Sequence, residues 1–379
     1  MRKLRRIITA LGSVELTLFC LALMMALVFA GTLAQVHLGT YLAQKQFFHS
    51  VWIDAMIGDW AVPVFPGGIA VGALWFVNLV AAFIDRFRWE RKSLGILVSH
   101  AGLIFLLAAQ FSSQTYGHER QMAVDVGTTL HYSEDSRDFE IVLLRRHDAS
   151  TDEVTSVPYS VFTRRRVIPL PGKPLTLHIL RWLPNAQLGM ADSMDTSLAT
   201  QGVGPRISVQ EAPPVTTDDE NNQVTAYVEI LDNGKSLGTW LLSSGLGAPQ
   251  SFIADGEEYR IFLRPRRYYH PFALTLKEFR HDVYPGTDIP KNFSSLVHIE
   301  DAAHNVSRDA LIYMNHPLRY QGLTFYQASF AKDDQQSIFQ VVKNPAWLTP
   351  YLACGMVILG LLIQFGTHLL GFLAKGGAR

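Results

Sequence analysis

Four stretches of this chain, at about 14–35, 67–85, 94–113 and from 346 onward, are long and apolar enough to cross a bilayer, and nothing constrains its folding more. Lipid offers the backbone no hydrogen-bond partner, so each stretch must close on itself as a helix. Over all 379 residues the mean hydropathy is only +0.13, so the apolar residues are concentrated in blocks and the chain reads as membrane spans plus a soluble part. The formal net charge is zero and no basic stripe with interleaved aromatics lies outside the membrane flanks, which argues against nucleic acid as a partner.

Charge then orients the spans. Arg2, Lys3, Arg5 and Arg6 precede the first run, which is longer than a signal-peptide core and ends without a small-x-small cleavage site, so it reads as an uncleaved span with a cytoplasmic basic end. Residues 36–66, with Tyr41, Phe47, Phe48, Trp52 and Trp60, read as an amphipathic loop in the outer interface, ended by Pro63 and Pro66-Gly67-Gly68. The turn at 85–92 carries four basic residues, and Lys375 and Arg379 follow the last run. Four spans put all three basic clusters, and both termini, on the cytoplasmic side. From 114 to 345 no run reaches membrane length. Alternating segments at 139–144, 175–180 and 226–231, the last followed by Asp232-Asn233-Gly234, predict a mainly antiparallel β domain, and 213–222 reads as a surface loop. The expected fold is therefore a membrane α-helical protein of four transmembrane helices with a large extracytoplasmic, mainly antiparallel β domain: 1–113, the periplasmic 114–345, and 346–379 with a short cytoplasmic tail.

An imidazole inside a span is costly unless it has a partner, which makes His100 the first candidate for function. Helical spacing puts it on one face with Gln110, along a helix that also holds Gly95 and Gly102, and that face is expected to look into a bundle. On the last span Gln364 and His368 share a face. Counted from the span ends, His100 and His368 fall at similar depth, so two helices could place both imidazoles on one haem iron. Against this, His368 lies close enough to the helix end to snorkel to the interface, and His100 could be merely hydrogen-bonded. Asn78 and Gln110 read as interhelical hydrogen-bond partners, Glu15 as an interfacial charge, and His37 and His49 as loop histidines. Cys20 and Cys354 lie in apolar runs and no CxxC occurs, which excludes a dithiol site and a covalent c-type haem on this chain. The β region holds no G-x-S-x-G, H-E-x-x-H or phosphate loop, so no independent enzyme is expected there.

Three regions resemble the ResB family of system II cytochrome c biogenesis. They are Ser13-Val14-Glu15-Leu16-Thr17-Leu18 through Gly31-Thr32-Leu33-Ala34-Gln35; the third span with Gly95, His100, Gly102 and Gln110; and Tyr284-Pro285-Gly286-Thr287-Asp288-Ile289-Pro290-Lys291-Asn292-Phe293-Ser294-Ser295 with Met314-Asn315-His316-Pro317-Leu318-Arg319-Tyr320-Gln321-Gly322-Leu323-Thr324-Phe325-Tyr326-Gln327. The last string is the most specific; between about 154 and 256 the likeness is thin. The resemblance implies a bacterial inner-membrane subunit that holds or passes haem b and helps present apocytochrome c, beside a ResC/CcsA-like partner and a thiol-reducing thioredoxin-like protein. It implies that His100 ligates the haem with a histidine of that partner, that His368 matches a histidine of less certain role, and that this chain is an accessory subunit, since the partner's tryptophan-rich segment is absent. Residues 315–327 read as a strand, a turn from Pro317 to Gly322 and a second strand, mainly architectural, setting a sheet edge open to an extended segment. Two other classes compete with this reading: a structural anchor of a membrane respiratory complex, and a b-type haem electron-transfer subunit.

Overall fold

The computed structural model describes residues 2–57, 60–86, 93–148, 151–191, 197–215, 221–287, 290–331 and 334–376. Residues 87–92 of the basic turn, 216–220 of the surface loop and Arg379 lie outside the described residues. The helices are α1 (Arg2–Leu11), α2 (Val14–Ala43), α3 (Gly68–Arg86), α4 (Leu94–Tyr116), the single turn α5 (Tyr159–Phe162) and α6 (Thr349–Gly376). Four helical stretches, Arg2–Phe48, Gly68–Asp85, Leu94–Tyr116 and Thr349–Leu373, are long and apolar enough to span a membrane. The chain divides into a helical unit, which includes residues 1–118 and 343–379, and a sheet unit between them.

In the helical unit, α1 and α2 are separate because the chain turns at Gly12-Ser13. A Cβ on Gly12 would stand 2.7 Å from the backbone nitrogen of Ala82, so only glycine allows α3 this close. Ser13 is extended and its hydroxyl caps α2 by accepting from the Leu16 amide at 3.2 Å. Buried Asn78 of α3 holds the joint: its amide donates to the carbonyls of Leu11 (2.7 Å) and Ser13 (3.1 Å) and accepts from the Thr17 hydroxyl at 2.8 Å. The interhelical role expected for Asn78 is the one seen.

Residues 36–66 differ from the expected loop. Helical structure continues to Ala43 but is interrupted at Gly39, whose backbone is non-helical (φ 71°, ψ 168°), and a π-helical turn (Gln44–Phe48) leads into a hairpin of Trp52–Ile57 and Trp60–Pro66. Residues 36–43 contain no proline, and the left-handed φ that glycine tolerates at position 39 breaks the helix into two consecutive segments. In the hairpin the short apolar strand Trp60–Pro66 pairs with Trp52–Ile57, and Pro63 opposes Asp54 at a bulge.

Helices α4 and α6 pack antiparallel through glycines. A Cβ on Gly95 would lie 2.6 Å from Gly360 O and from Gln364 N, and one on Gly102 would lie 2.9 Å from Ala353 O. Gly360 in turn fits against Ser99. Near the other end of α4, the Ser113 hydroxyl donates to Asn344 at 3.0 Å. Small residues let the two backbones approach where lipid supplies no hydrophobic driving force between helices.

The sheet unit has two large hydrophobic cores, beside a small cluster of Ala199, Tyr227 and Leu241, and the same long strands, Thr129–Arg146 and Glu257–Val283, thread both, paired antiparallel with Ile261 opposite Leu143. In one core, the far half of these strands, with Asp152–Pro158 and Gln250–Ala254, faces a four-stranded sheet of Val167–Pro169, Leu175–Leu183, Thr225–Asp232 and Lys235–Ser243. In the other, the sheet continues through Pro290–Asp301, Val306–Tyr313, His118–Asp125, Gln336–Lys343, Leu323–Ala331 and Leu318–Tyr320, and curls so that Ile312, Leu318 and Phe325 share one interior. The mainly antiparallel β domain is as expected.

Candidate functional site

His100 sits within α4, half-buried, with Nδ1 at 2.8 Å from the carbonyl of Ile96 one turn earlier. A carbonyl oxygen only accepts, so Nδ1 donates, and in the neutral form of the ring the lone pair lies on Nε2. Among the described residues Nε2 has no hydrogen-bond partner. This is the form in which an imidazole ligates iron, with its other nitrogen anchored to the backbone.

The face carrying His100 is not the one buried in the bundle. Gly95, Gly102 and Ala109 are the buried residues of α4, whereas Leu103 and Gln110 are exposed, which corrects the expectation that the His100–Gln110 face looks into the helix packing. The glycines determine the buried face because they permit the closest approach. The open face leaves space beside the ring; a wall and a second ligand would have to come from outside α4 and α6.

His368 is exposed on α6, and its Nε2 lies 2.7 Å from Gln364 Nε2, so the shared face holds but that nitrogen is already engaged. The expected common depth does not hold. The Gly95 and Gly102 contacts set His100 level with about Val357, so His368 stands about 11 residues further along α6, roughly 16 Å of helix rise. Distances counted from span ends cannot set the stagger of two helices; the glycine contacts do. One iron cannot take both rings from a single copy of this chain. His37 and His49 are exposed, and the described residues hold no group of three or more His, Cys, Asp or Glu placed to bind a metal.

In the sheet unit, the residues of the 315–327 string serve architecture. Gln321 (φ 49°) and Gly322 (φ 73°) form a two-residue turn between Leu318–Tyr320 and Leu323–Ala331, so Pro317 precedes the hairpin and does not belong to its turn. Two consecutive residues with positive φ satisfy the tight I′ geometry, and a proline cannot adopt it. Phe325 is fully buried. Gln327 ties three strands: its carbonyl accepts from the Ser295 hydroxyl at 2.6 Å and its amide donates to Ser337 at 2.9 Å. The Tyr320 hydroxyl donates to buried Asp301 at 2.8 Å, and the His304 ring and amide bind the same carboxylate at 2.9 and 3.3 Å. The Tyr320 hydroxyl, backed by His304, holds the Asp301 carboxyl below its ordinary range. Sequence reading missed Asp301, although an aspartate three residues before His304 is a capping signal.

A belt of charge joins the two cores of this unit. Arg264 and Glu140 form a buried pair at 2.9 Å, flanked by Arg266–Asp138 at 3.0 Å and Arg267–Glu134 at 2.8 Å. Beside it His270 lies 3.1 Å from the Ser133 hydroxyl, and burial, with Arg120 and His131 nearby, pushes its pKa down to about 4.

Residues 235–342 match the model of the ResB-like family. Over 354 residues, 92% of this chain, the sequence is 24% identical to the protein NrfI of Wolinella succinogenes, of which the match covers 34%. Over 61 residues, 16% of this chain, it is 36% identical to the cytochrome c biogenesis protein CcsB of a Picosynechococcus species, of which the match covers 13%. The chain thus spans about a third of the length of the NrfI relative.

Proposed function

We propose that this chain, whose residues 235–342 match the ResB-like family model, is a membrane subunit of cytochrome c maturation that holds haem b on α4 through His100 and helps present apocytochrome c to a ResC/CcsA-like partner. The observation that carries the reading is the His100 ring: Nδ1 tied to the Ile96 carbonyl, Nε2 free, and an open helix face beside it. When bound there, haem supplies the iron that prefers such a nitrogen and the vinyl groups that a cytochrome's thiols later attack. The chain's own residues bind and orient; none of them donates a thiol, since both cysteines lie in apolar helices.

His368 is the weaker ligand on two counts, its engaged Nε2 and its stagger along α6, so a second ligand to the haem would come from the partner. We read the sheet unit as periplasmic and both termini as cytoplasmic, in a bacterial inner membrane, from the basic residues of α1 and the apolar length of the spans. A thioredoxin-like protein would keep the acceptor's thiols reduced.

The test is haem content and cytochrome c yield with the partner co-expressed. His100→Ala is expected to lose the Soret absorption of the purified complex and to regain part of it with added imidazole, while His368→Ala keeps most of it. Unchanged haem occupancy in His100→Ala would sink the assignment.

A further inference from the structure

Several arginines of the sheet unit are paired with carboxylates, among them Arg145 with Glu153, Arg181 with Glu211, Arg264 with Glu140, Arg266 with Asp138 and Arg267 with Glu134. Arg164, Arg165 and Arg166 depart from this. They are consecutive and exposed, and among the described residues none has an acidic partner within ion-pair distance. Together with Phe162, Arg181 and Trp182 they line a cavity of about 320 Å³. Three like charges gathered at one concavity repel one another and focus a positive potential there, a cost that a bound anion would remove.

The backbone at the same place is also incomplete. The strand Leu175–Leu183 pairs along its whole length with Thr225–Asp232 on one side. On the other side it meets only Val167–Pro169, opposite residues 176–178. Two further bonds, from the Ile179 amide to the Arg166 carbonyl at 2.7 Å and from the Leu170 amide to the Leu175 carbonyl at 2.9 Å, close that short pairing. Beyond it, residues 180–183 have no strand neighbour on this side among the described residues, and the cavity is lined by 179–182. An open sheet edge is a template for an added strand, which native sheets otherwise cover or blunt.

We infer that residues 164–166 and the open edge at 180–183 form a docking site for an extended acidic segment of a partner protein, bound by strand addition with its carboxylates on the three arginines. Edge and charge select the same ligand: the edge takes an extended backbone, and the guanidinium groups require acidic side chains on it. Among the other edge strands, Leu318–Tyr320 is three residues long and its Leu318 is buried in the curled core, so it offers less to an incoming chain. The site lies outside 235–342 and does not depend on haem binding by α4.

The full chain in lipid nanodiscs would be titrated with a short labelled peptide alternating glutamate and threonine, with a lysine-threonine peptide and with inorganic phosphate. The expected result is binding of the glutamate peptide only, weakened by salt, with slowed amide exchange at 180–183. The triple variant Arg164→Gln, Arg165→Gln, Arg166→Gln should unfold at the same temperature, since these side chains are exposed, and bind at least about tenfold more weakly. Phosphate competing at equal concentration without slowed exchange would mark a small-anion site and overturn the proposal. So would peptide binding that the triple variant leaves unchanged, or no binding at all.

Discussion

At the scale of single residues, two polar side chains in the spans do different work. Asn78 satisfies the carbonyls left open where α1 ends and α2 begins, so Asn78→Leu should leave the Leu11 and Ser13 carbonyls without their donor. A loss of about 1–3 kcal/mol is expected, read as a lower unfolding temperature of the detergent-extracted protein. His100 is anchored through one nitrogen only, and its substitution should cost haem and little stability. Both residues stand out in the sequence because polar groups are expensive in lipid. Their partners are not legible there: Asn78 bonds to residues more than sixty positions away, and the direction of the His100 ring follows from a rotamer that the α4 backbone allows.

Between elements, glycine positions separate packing from mere composition. Gly95 and Gly360 have no room for a side chain, whereas a Cβ on Gly366 or Gly371 would meet nothing within 4 Å. Gly95→Leu and Gly360→Leu should therefore separate α4 from α6 and destabilise by about 1–3 kcal/mol or more, while Gly371→Leu should be neutral; thermal unfolding of the three variants side by side checks this. Gly322→Val tests the hairpin. At φ 73° a β-branched residue is strained by about 1–2 kcal/mol, which should appear as faster local exchange at Tyr320 and Leu323. The 315–327 hairpin and both glycines of α4 were visible as a pattern. The His100–Gln110 face is the one expected to meet the bundle, whereas the packing against α6 buries the glycine face, because helix periodicity alone does not say which stripe meets a neighbour.

The whole molecule carries a pH dependence seated in the belt of charge that joins the two cores of the sheet unit. His270 has a pKa of about 4 in the folded chain against an ordinary 6.5, so the unfolded chain binds its proton first. Its contribution to stability is complete above pH 6.5 and is lost as pH falls toward about 4. For a half-buried ring, solvent screening leaves a loss of about 1 kcal/mol at pH 5. Denaturant unfolding at pH 7 and pH 5 should reveal it, and His270→Gln should flatten the difference. Asp301, held below its ordinary 3.8, adds a loss of the same sign at still lower pH, as its carboxylate protonates.

By itself the sequence determined the class of fold: apolar length forces helices in lipid, and period-two alternation with tight turns forces an antiparallel sheet. These are local properties, each written in a stretch of neighbouring residues. The stagger that parts His100 from His368, the joint closed by Asn78, and the meeting of Arg164, Arg165 and Arg166, unpaired among the described residues, with the end of the strand Leu175–Leu183 were decided only in three dimensions. Each depends on which distant surfaces touch, and that choice is made by the packing of small residues and the closing of sheets.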